Sequence, residues 1–283
     1  MMRSRQLVLA FLAATSALAL GGQSVEERAE ALVRQVRSRL DDTFIVEREG
    51  IFVVAGNLPR RQFESIRRWT IAAGGTALWA SYCTKRPSEP VIIYLFADDK
   101  SYRAWAKRLF GDERVSHFGY YRPGDHAMLM NIATGTGTLV HELTHALVRP
   151  DFPQIPTWFD EGLASLHEQC RLGPRGITGL VNWRLPGLQR AIREGRLVPL
   201  AKLVATTERE FRGANEGLHY AEARYLVMYL QHKGLLRRFY REFRANVQKD
   251  PTGAKTLEAL TGKTLPELQK DWLAWVRTLR FTR

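Results

Sequence analysis

The sequence predicts an α+β fold, in which a mixed, mostly antiparallel sheet and its helices form an N-terminal lobe and helices alone form a C-terminal lobe. Strand-like apolar runs bounded by turn residues are confined to residues 43–135, and nearly every later segment has the apolar spacing of a helix. The chain has 283 residues, of which 45% are hydrophobic, so it can bury a sizeable core in one domain of two lobes.

Residues 23–136 form the predicted α/β lobe. Ser24 is a candidate N-cap for the first helix, whose apolar residues between Val25 and Leu40 share one face. The following segments have strand signals at 43–50 and 51–57, a helix signal at 60–82 interrupted at Gly74–Gly75, a strand signal at 90–98, a helix signal at 99–111 and a hairpin signal at 116–135. The strand pairs at 43–57 and 116–135 give the expected sheet its mostly antiparallel character.

Residues 137–283 form the predicted helical lobe. Its first helix, residues 138–149, ends before Pro150 and lies at the junction of the two lobes. The last helix begins at Thr264, which has the spacing of a capping box with Glu267. Between these two helices, the periodicity predicts helices at residues 157–170, 187–195, 199–211, 219–232 and 234–248.

The first 22 residues have the composition of a secretory signal peptide. Arg3 and Arg5 precede a mostly apolar run, and residues 17–19 (Ala-Leu-Ala) form a small-x-small cleavage site. The run is shorter than the roughly 20 apolar residues that span a bilayer, so cleavage is favoured over a membrane anchor. We therefore expect a secreted or periplasmic protein of the cell envelope.

Charge and cysteine content narrow the expected partners. Residues 1–22 carry two arginines and no acidic residue, so their removal lowers the formal net charge from +13 to +11. A basic exported protein can bind an anionic envelope surface. No nucleic-acid partner is expected, because no nucleic-acid motif accompanies the basic residues.

Cys83 and Cys170 form one disulfide or remain two buried thiols, and the sequence leaves both possibilities open.

Polar residues interrupt an otherwise apolar helix in the stretch TLVHELTHALV, residues 138–148. His141, Glu142 and His145 lie among apolar residues at helical spacing and form the pattern H-E-x-x-H. Residues four apart share one helix face, so both imidazoles can bind one cation. Zinc accepts such a pair together with a third protein ligand and an open position, and Glu142 would then act as general base. We expect one zinc ion per chain.

The third zinc ligand has one favoured candidate. The stretch RPDFPQIPT carries three prolines that turn the chain back, and a second helix then begins at TWFDEGLASLHEQ. Glu161 lies in the first turns of this helix, and Gly162 after it permits close approach of a facing helix. Glu168, His167 and Asp160 are the alternatives.

The pair HELTH and PTWFDEGLA resembles the gluzincin zinc metallopeptidases, and most closely the bacterial peptidase MA-like domain. The stretches VIIYLFADDKSYRAW, GYYRPGDHAMLMN and HYAEARYLVMYL also resemble that family, so the likeness spans residues 40–280. The resemblance implies a gluzincin-like layout in a single domain, residues 23–283, with the zinc site at the junction of the lobes. It also implies that His141, His145 and Glu161 are the zinc ligands and that Glu142 is the general base.

The chain departs from the larger gluzincins in two respects. Fewer residues separate His145 from Glu161 than in thermolysin-like enzymes, and Ser165 stands where those enzymes have an acidic residue four positions after the third ligand. Groups that hydrogen-bond the ligands hold them in orientation. We therefore expect Asp160 or Glu168 to take that role.

The resemblance also bears on substrate binding. In gluzincins a Tyr or His of a downstream helix donates a hydrogen bond to the oxyanion, which indicates Tyr220 at the start of a predicted helix, with His219 as its competitor. An aromatic side chain that only packs at a helix start is the alternative for Tyr220. The stretch AMLMNIATG, residues 127–135, resembles the edge strand along which gluzincins bind an extended substrate, and an interior strand is the alternative.

These patterns predict an exported zinc-dependent metallopeptidase that acts on a peptide or protein substrate. Endopeptidase action is favoured, because no motif for a free amino terminus is visible. One alternative is a catalytically idle, zinc-holding protein that binds the envelope, and the intact Glu142 argues against it. Another alternative is a zinc amidase that acts on cell-wall material, which the motifs do not separate from a peptidase.

Overall fold

The computed structural model describes residues 23–85, 87–173 and 176–282, and these form an α+β fold with a mixed sheet and many helices. The predicted signal peptide, residues 1–22, lies outside the described residues. In the part of the chain that the structure describes, no helix combines the length and the apolar character needed to cross a membrane.

The sheet and the helices that cover it come first in the chain. They are α1 (Val25–Ser38), β1 (Ile45–Glu49), β2 (Phe52–Gly56), α2 (Arg60–Ser65), a π-helical stretch (Ile66–Ala72), α3 (Ala73–Tyr82), β3 (Val91–Phe96), α4 (Asp99–Phe110), β4 (Gly119–Arg122) and β5 (Ala127–Asn131). The helical part follows with α5 (Gly137–Asp151), α6 (Thr157–His167), a small hairpin of β6 (Cys170–Gly173) and β7 (Gly176–Gly179), α7 (Leu185–Arg193), α8 (Leu200–Leu203), α9 (Glu208–Phe211), α10 (Glu216–His232), α11 (Leu236–Asn246), α12 (Ala254–Thr261) and α13 (Leu265–Thr278).

The main sheet has the strand order β1-β2-β3-β5-β4. Its two inner pairs, β2–β3 and β3–β5, are parallel, and its two outer pairs are antiparallel. The prediction of a mixed sheet is confirmed, whereas the prediction of a mostly antiparallel one is wrong. The reason is that neither neighbour of β3 is joined to it by a hairpin: a helical crossover connects β2 to β3, and α4 with the edge strand β4 lies between β3 and β5.

Alternate residues of the central strands pack into different cores. Val53, Tyr94 and Leu129 belong to a core that α1 and α4 cover. Val54 and Ile93 face the other way, into a core that includes α3, α5 and the helices up to α13. This alternation is the period-2 pattern of strands that are buried on both faces. The second core runs without a break from the sheet into the helical part, and α5 lies between the two.

The helix predicted at 60–82 is not interrupted at its two glycines. It runs through them as α3, and Gly75 lies against the ring of Phe52, where an added Cβ would come within 3.2 Å of Phe52 Cε2. The glycine therefore serves close packing of the helix on β2 rather than a break. The helix contains a π-helical stretch instead, which the periodicity does not indicate.

The helical part differs from the prediction at five places. Helix α5 does not end before Pro150 but includes it and ends at Asp151. The second site helix ends at His167, and the β6–β7 hairpin follows where helix was expected. The segment 199–211 forms two short helices, α8 and α9, and α12 was not predicted. Helix α10 begins at Glu216, so Tyr220 lies inside the helix rather than at its start. The question left open for the two cysteines is also answered, because Cys83 and Cys170 are both free thiols.

Candidate metal centre

Helices α5 and α6 carry the candidate ligands, and glycines allow both to pack closely. An added Cβ at Gly137, in the first turn of α5, would lie 2.8 Å from the carbonyl oxygen of Glu168, just after α6. At Gly162 the close neighbour is α10, since a Cβ there would lie 2.9 Å from the carbonyl oxygen of Ala223. A close approach therefore exists at Gly162, but the helix that faces it is α10 rather than α5, which carries the two histidines.

Three side-chain atoms converge on one point between α5 and α6. His141 Nε2 and His145 Nε2 lie 3.0 Å apart, and Glu161 Oε2 is 3.3 Å from the first and 3.5 Å from the second. Zinc bonded tetrahedrally to such atoms at roughly 2.0–2.1 Å would separate them by about 3.3 Å. The three predicted ligands are brought together at the spacing that one such ion requires, and they are the potential metal-binding group found among the described residues.

The other nitrogen of each imidazole is held by a carboxylate. His141 Nδ1 donates to Glu168 Oε1 at 3.1 Å, and His145 Nδ1 donates to Asp160 Oδ1 at 2.8 Å. An ionised carboxylate can only accept, so in the neutral imidazole the proton belongs on Nδ1 and the lone pair on Nε2. Both lone pairs therefore face the point of convergence, as in metal-bound histidines.

Glu161 is buried, and its two oxygens have different surroundings. Oε1 accepts a 2.6 Å hydrogen bond from Arg212 Nη2, whereas Oε2 is buried and accepts no hydrogen bond. Burial by itself raises the pKa of Glu161, but the neighbouring His141 and His145 lower it well below its usual range. An ionised oxygen without a donor is costly in a protein interior unless a cation neutralises it. The residues present therefore fit a bound metal ion.

The electrostatic surroundings of His141 also favour a positive charge at this point. Burial alone lowers the pKa of this imidazole, but the carboxylates of Glu161 and Glu168 outweigh it and raise the pKa to about 10. For His145, burial likewise lowers the pKa, and Asp160 and Glu161 more than offset it. A proton or a metal ion can supply that positive charge, and the Nε2 atoms are where a metal would bind.

The alternative third ligands occupy other places. Asp160 and Glu168 contact the Nδ1 atoms rather than the point of convergence, so both take the orienting role in which one of them was expected. Each carboxylate is in turn bound by an arginine: Arg149 Nε lies 2.9 Å from Asp160, and Arg184 Nη2 lies 3.1 Å from Glu168.

His167, the other alternative ligand, is buried away from this point. Its Nε2 lies 3.2 Å from the hydroxyl of Tyr82, and its Nδ1 lies 3.5 Å from the hydroxyl of Thr144. Burial, with the charges of Arg224 and His141, lowers its pKa to about 3, so this imidazole is neutral. It is a structural histidine rather than a ligand.

The candidate base Glu142 follows the first ligand on α5. It is half-buried, and its carboxylate has no hydrogen-bond or ion-pair partner among the described residues. Its charge acts on the edge strand β4, because Glu142 adds to the effect of burial in raising the pKa of Tyr121. The carboxylate is therefore free to interact with water or a ligand.

Tyr220 and His219 have different hydrogen-bond partners. The hydroxyl of Tyr220 accepts a 3.0 Å hydrogen bond from Arg212 Nη1, whose other terminal nitrogen binds Glu161. His219 is buried and its Nδ1 donates to the carbonyl of Phe211 at 2.9 Å. Burial and the nearby charge of Glu161 raise the pKa of Tyr220, so its hydroxyl keeps its proton. Tyr220 is the one of the pair that lies beside the metal centre.

The strand predicted to bind substrate is not at the edge of the sheet. Residues 127–131 form β5, which lies between β3 and β4, so the alternative of an interior strand is correct. The edge is β4, which pairs with the outer side of β5 across the short turn at 123–125. The error arises because a strand's neighbours depend on pairing across the whole sheet and not on its own residues.

Three arginines of the centre were not found from the sequence. Arg149 and Arg184 bind the carboxylates of Asp160 and Glu168, which orient the candidate ligands. Arg212 binds Glu161, which is itself a candidate ligand. Arg212 and Glu161 are 51 positions apart in the chain, and no motif links them.

Compared with known proteins, the chain matches no family model, and no curated protein is recognisably similar to it.

Proposed function

We propose that this chain is an exported zinc-dependent metallopeptidase with a gluzincin-type metal centre, acting as an endopeptidase. The observation that carries the proposal is the convergence of His141, His145 and Glu161 beside the unpaired carboxylate of Glu142. A purely structural zinc site is closed by four protein ligands and has no use for such a carboxylate. Three ligands with an adjacent free base are typical of a catalytic site.

The residues around the centre divide the chemistry of amide hydrolysis among them. Zinc in this position would supply a Lewis acid that polarises a carbonyl group and activates water. Glu142 accepts a proton from the attacking water and passes it to the leaving nitrogen as the C–N bond breaks. The protonated hydroxyl of Tyr220, held by Arg212, donates a hydrogen bond to the oxyanion.

An extended substrate has a strand to pair with at the outer edge of β4. The backbone N–H of Asn131 donates to the carbonyl of Phe118 at 3.0 Å, which fixes the alternation of the β4–β5 ladder. The backbone groups of Gly119 and Tyr121 therefore point away from β5, toward the free edge. A peptide bound there by strand addition would lie beside Tyr121 and close to Glu142.

The placement of the centre and the N-terminal sequence support the rest of the proposal. The site helices α5 and α6 lie where the sheet meets the helical part, as the gluzincin resemblance implies. The signal-like composition of residues 1–22 supports export to the cell envelope or beyond, where an anionic surface can attract the basic chain.

The test is zinc quantification on the purified protein together with digestion of a peptide library. We expect about one zinc per chain in the wild type and in Glu142→Gln. Hydrolysis by Glu142→Gln should fall by roughly 10²–10⁴-fold, the usual contribution of a general base. Glu113→Gln is the matched control, because Glu113 is an exposed glutamate that pairs with Lys107, and it should keep wild-type zinc and activity.

The alternatives give different results in the same test. A catalytically idle zinc-holding protein would bind one zinc and cleave nothing in the library. An amidase would leave the library intact but release products from purified cell-wall material in a Glu142-dependent way. Wild-type protein that binds no zinc, or a Glu142→Gln variant that cleaves at the wild-type rate, would contradict the proposal itself.

A further inference from the structure

The large hydrophobic side chains that the described part of the chain exposes all line one cleft. Trp69 is 72% exposed, Trp183 is 64% exposed and Phe118 is 53% exposed. They come from three separate segments, yet each contributes to the same open cleft of about 600 Å³. This volume is within the range of ligand sites, and exposed aromatic residues that cluster in this way mark binding surfaces.

The surroundings of two of these rings support a binding role. Trp69 lies in the π-helical stretch, a rare conformation that occurs most often at functional sites. Trp183 has the guanidinium of Arg184 over one face, 4.2 Å from the ring centroid, while most of its surface is open to solvent. The arginine fixes the plane of the indole, and the exposed ring surface is available to a flat ligand.

Polar groups without partners among the described residues line the same cleft. The hydroxyls of Thr136 and Thr138 and the side-chain amide of Gln169 line the cleft and have no hydrogen-bond partner among the described residues. The charged lining groups are Glu168 and Arg184, and these form an ion pair with each other. The cleft therefore offers flat apolar faces together with neutral hydrogen-bonding groups.

This combination selects among the ligands that stack on aromatic rings. Nucleic acids need unpaired cations for their phosphates, and the arginine of the cleft is already neutralised. Apolar peptide side chains gain most from an enclosed apolar pocket, whereas these rings stand around an open cleft. A sugar ring has an apolar face of C–H groups and a rim of neutral hydroxyls, which match the rings and the free polar groups.

We propose that the cleft binds a neutral saccharide carried by the substrate next to the amide bond that is cleaved. Glu168 connects the two sites, because it lines the cleft and its carboxylate accepts the hydrogen bond from His141 at 3.1 Å. A saccharide in the cleft therefore lies beside the metal centre. The statement that the saccharide belongs to a substrate rests on the proposed hydrolase function. The inference narrows the class of substrates to glycan-bearing peptides.

The binding step is tested without hydrolysis, by calorimetric titration of the full chain with a trimer of N-acetylglucosamine. We expect saturable binding, and a loss of affinity of about tenfold or more in Trp69→Ala and in Trp183→Ala, as for a central contact residue. Both side chains are exposed, so the variants should fold, and zinc content checks that the centre is intact. Trp69→Phe and Trp183→Phe keep an aromatic ring and should retain most of the affinity.

Other probes distinguish the outcomes. A mannose trimer that binds instead, with the same sensitivity to the alanine variants, also supports a saccharide site and identifies plain hexoses as its ligand. If neither trimer binds, or if the alanine variants bind as tightly as the wild type, the inference is wrong. A blocked Phe-Leu-Phe tripeptide that alone binds would assign the cleft to peptide side chains and also overturn it.

The substrate part of the inference has its own measurement. A glycopeptide and the same peptide without its sugar are compared as substrates, and we expect the glycopeptide to have the lower KM. The two proposals can fail separately. Cleavage of plain peptides without saccharide binding would support the peptidase proposal and contradict the saccharide site. Saccharide binding without any hydrolysis would support the saccharide site and contradict the peptidase proposal.

Discussion

Helix α5 contributes to two buried polar clusters that differ in one respect. At its C-terminal end, Asp151 is fully buried and both of its oxygens have donors: Oδ1 accepts from the backbone of Thr84 and Lys85, and Oδ2 accepts from Tyr240 and Arg244. In the candidate metal centre, Glu161 is as deeply buried, but its Oε2 has no hydrogen-bond partner and faces the Nε2 atoms of two imidazoles. Asp151 and Glu161 are equally buried, but only Asp151 has hydrogen-bond donors for both of its oxygens.

The difference separates a structural carboxylate from one that binds a ligand. Burial raises the pKa of Asp151, and the hydrogen bonds from Lys85 and Thr84 outweigh it, so the ionised form is stable without a metal. Oε2 of Glu161 has only the imidazoles of His141 and His145 beside it, so a proton or a metal ion held by them must supply the balancing charge. Counting the donors around each buried oxygen is therefore more informative than burial, since an ionised group without donors needs a cation.

The largest expected effect comes from substituting the two clusters in turn. His141→Ala, His145→Ala and Glu161→Ala should each lower zinc affinity by more than about 100-fold and abolish hydrolysis, because loss of a ligand costs more than the roughly 10–100-fold of a group that only orients one. Asp151→Asn should keep one zinc per chain and lower the free energy of unfolding by on the order of 3 kcal/mol, because it breaks a buried charged pair. Zinc quantification and denaturant unfolding measure the two effects.

One outcome would reverse the assignment of the third ligand. If Glu161→Ala retains zinc while Glu168→Ala loses it, Glu168 is the ligand and Glu161 the orienting group. If Asp151→Asn loses zinc while it stays folded, the two clusters are not independent.

The comparison also shows which parts of the site the sequence can predict. His141 and His145 are fixed by helical spacing alone, and Glu161 by a short proline-rich turn, so local patterns suffice. Tyr220 in α10 and Arg212, which lies between α9 and α10, reach Glu161 only because α10 packs against α6, which no local pattern encodes. The same holds for the fold, because the positions of most strands and helices are local, whereas the edge position of β4 depends on the whole sheet.

The next largest effect concerns Tyr220, which lies beside Glu161 and is hydrogen-bonded to Arg212. Tyr220→Phe removes the hydroxyl but keeps the ring, so zinc content and folding should be unchanged. Turnover should fall by roughly 10²–10³-fold, the usual loss for one oxyanion donor. His219→Ala is the neighbouring control and should be milder, because that imidazole is bound to the carbonyl of Phe211. A fully active Tyr220→Phe would show that the hydroxyl only packs against Arg212.

A smaller effect is expected from the carboxylates that orient the imidazoles. Asp160→Asn and Glu168→Gln should each lower zinc affinity by about 10–100-fold while retaining one zinc at saturation, because the ligands remain but their orientation weakens. Asp112→Asn is the matched control, since Asp112 accepts from Arg122 and Tyr120 and contacts none of the three candidate ligands. Competition with a chelator measures the affinities. Equal affinities in all three variants would mean that the orienting contacts contribute nothing.

The smallest effect separates His167 from the two histidines of the centre. Carboxylates raise the pKa of His141, whereas His167 has only the hydroxyls of Tyr82 and Thr144 as partners and its pKa is lowered to about 3. In the unfolded chain a histidine has a pKa of about 6.5, so between these values the unfolded state binds a proton that the folded state excludes. His167 therefore destabilises the folded state as the pH falls below about 6.5.

The size of this effect follows from proton linkage. Its contribution to the free energy of unfolding falls by up to about 1.4 kcal/mol per pH unit from about pH 6 to 4, which is tenfold in the folding equilibrium constant. His167→Gln keeps hydrogen-bonding atoms for the two hydroxyls but does not titrate, so its unfolding free energy should depend less steeply on pH by that amount. Denaturant unfolding of the two proteins at pH 6.5, 5.5 and 4.5 measures the difference, and the contributions of the other titrating groups cancel in it. Parallel pH profiles would mean that His167 takes up a proton in the folded state, and the contrast with the metal centre would then be lost.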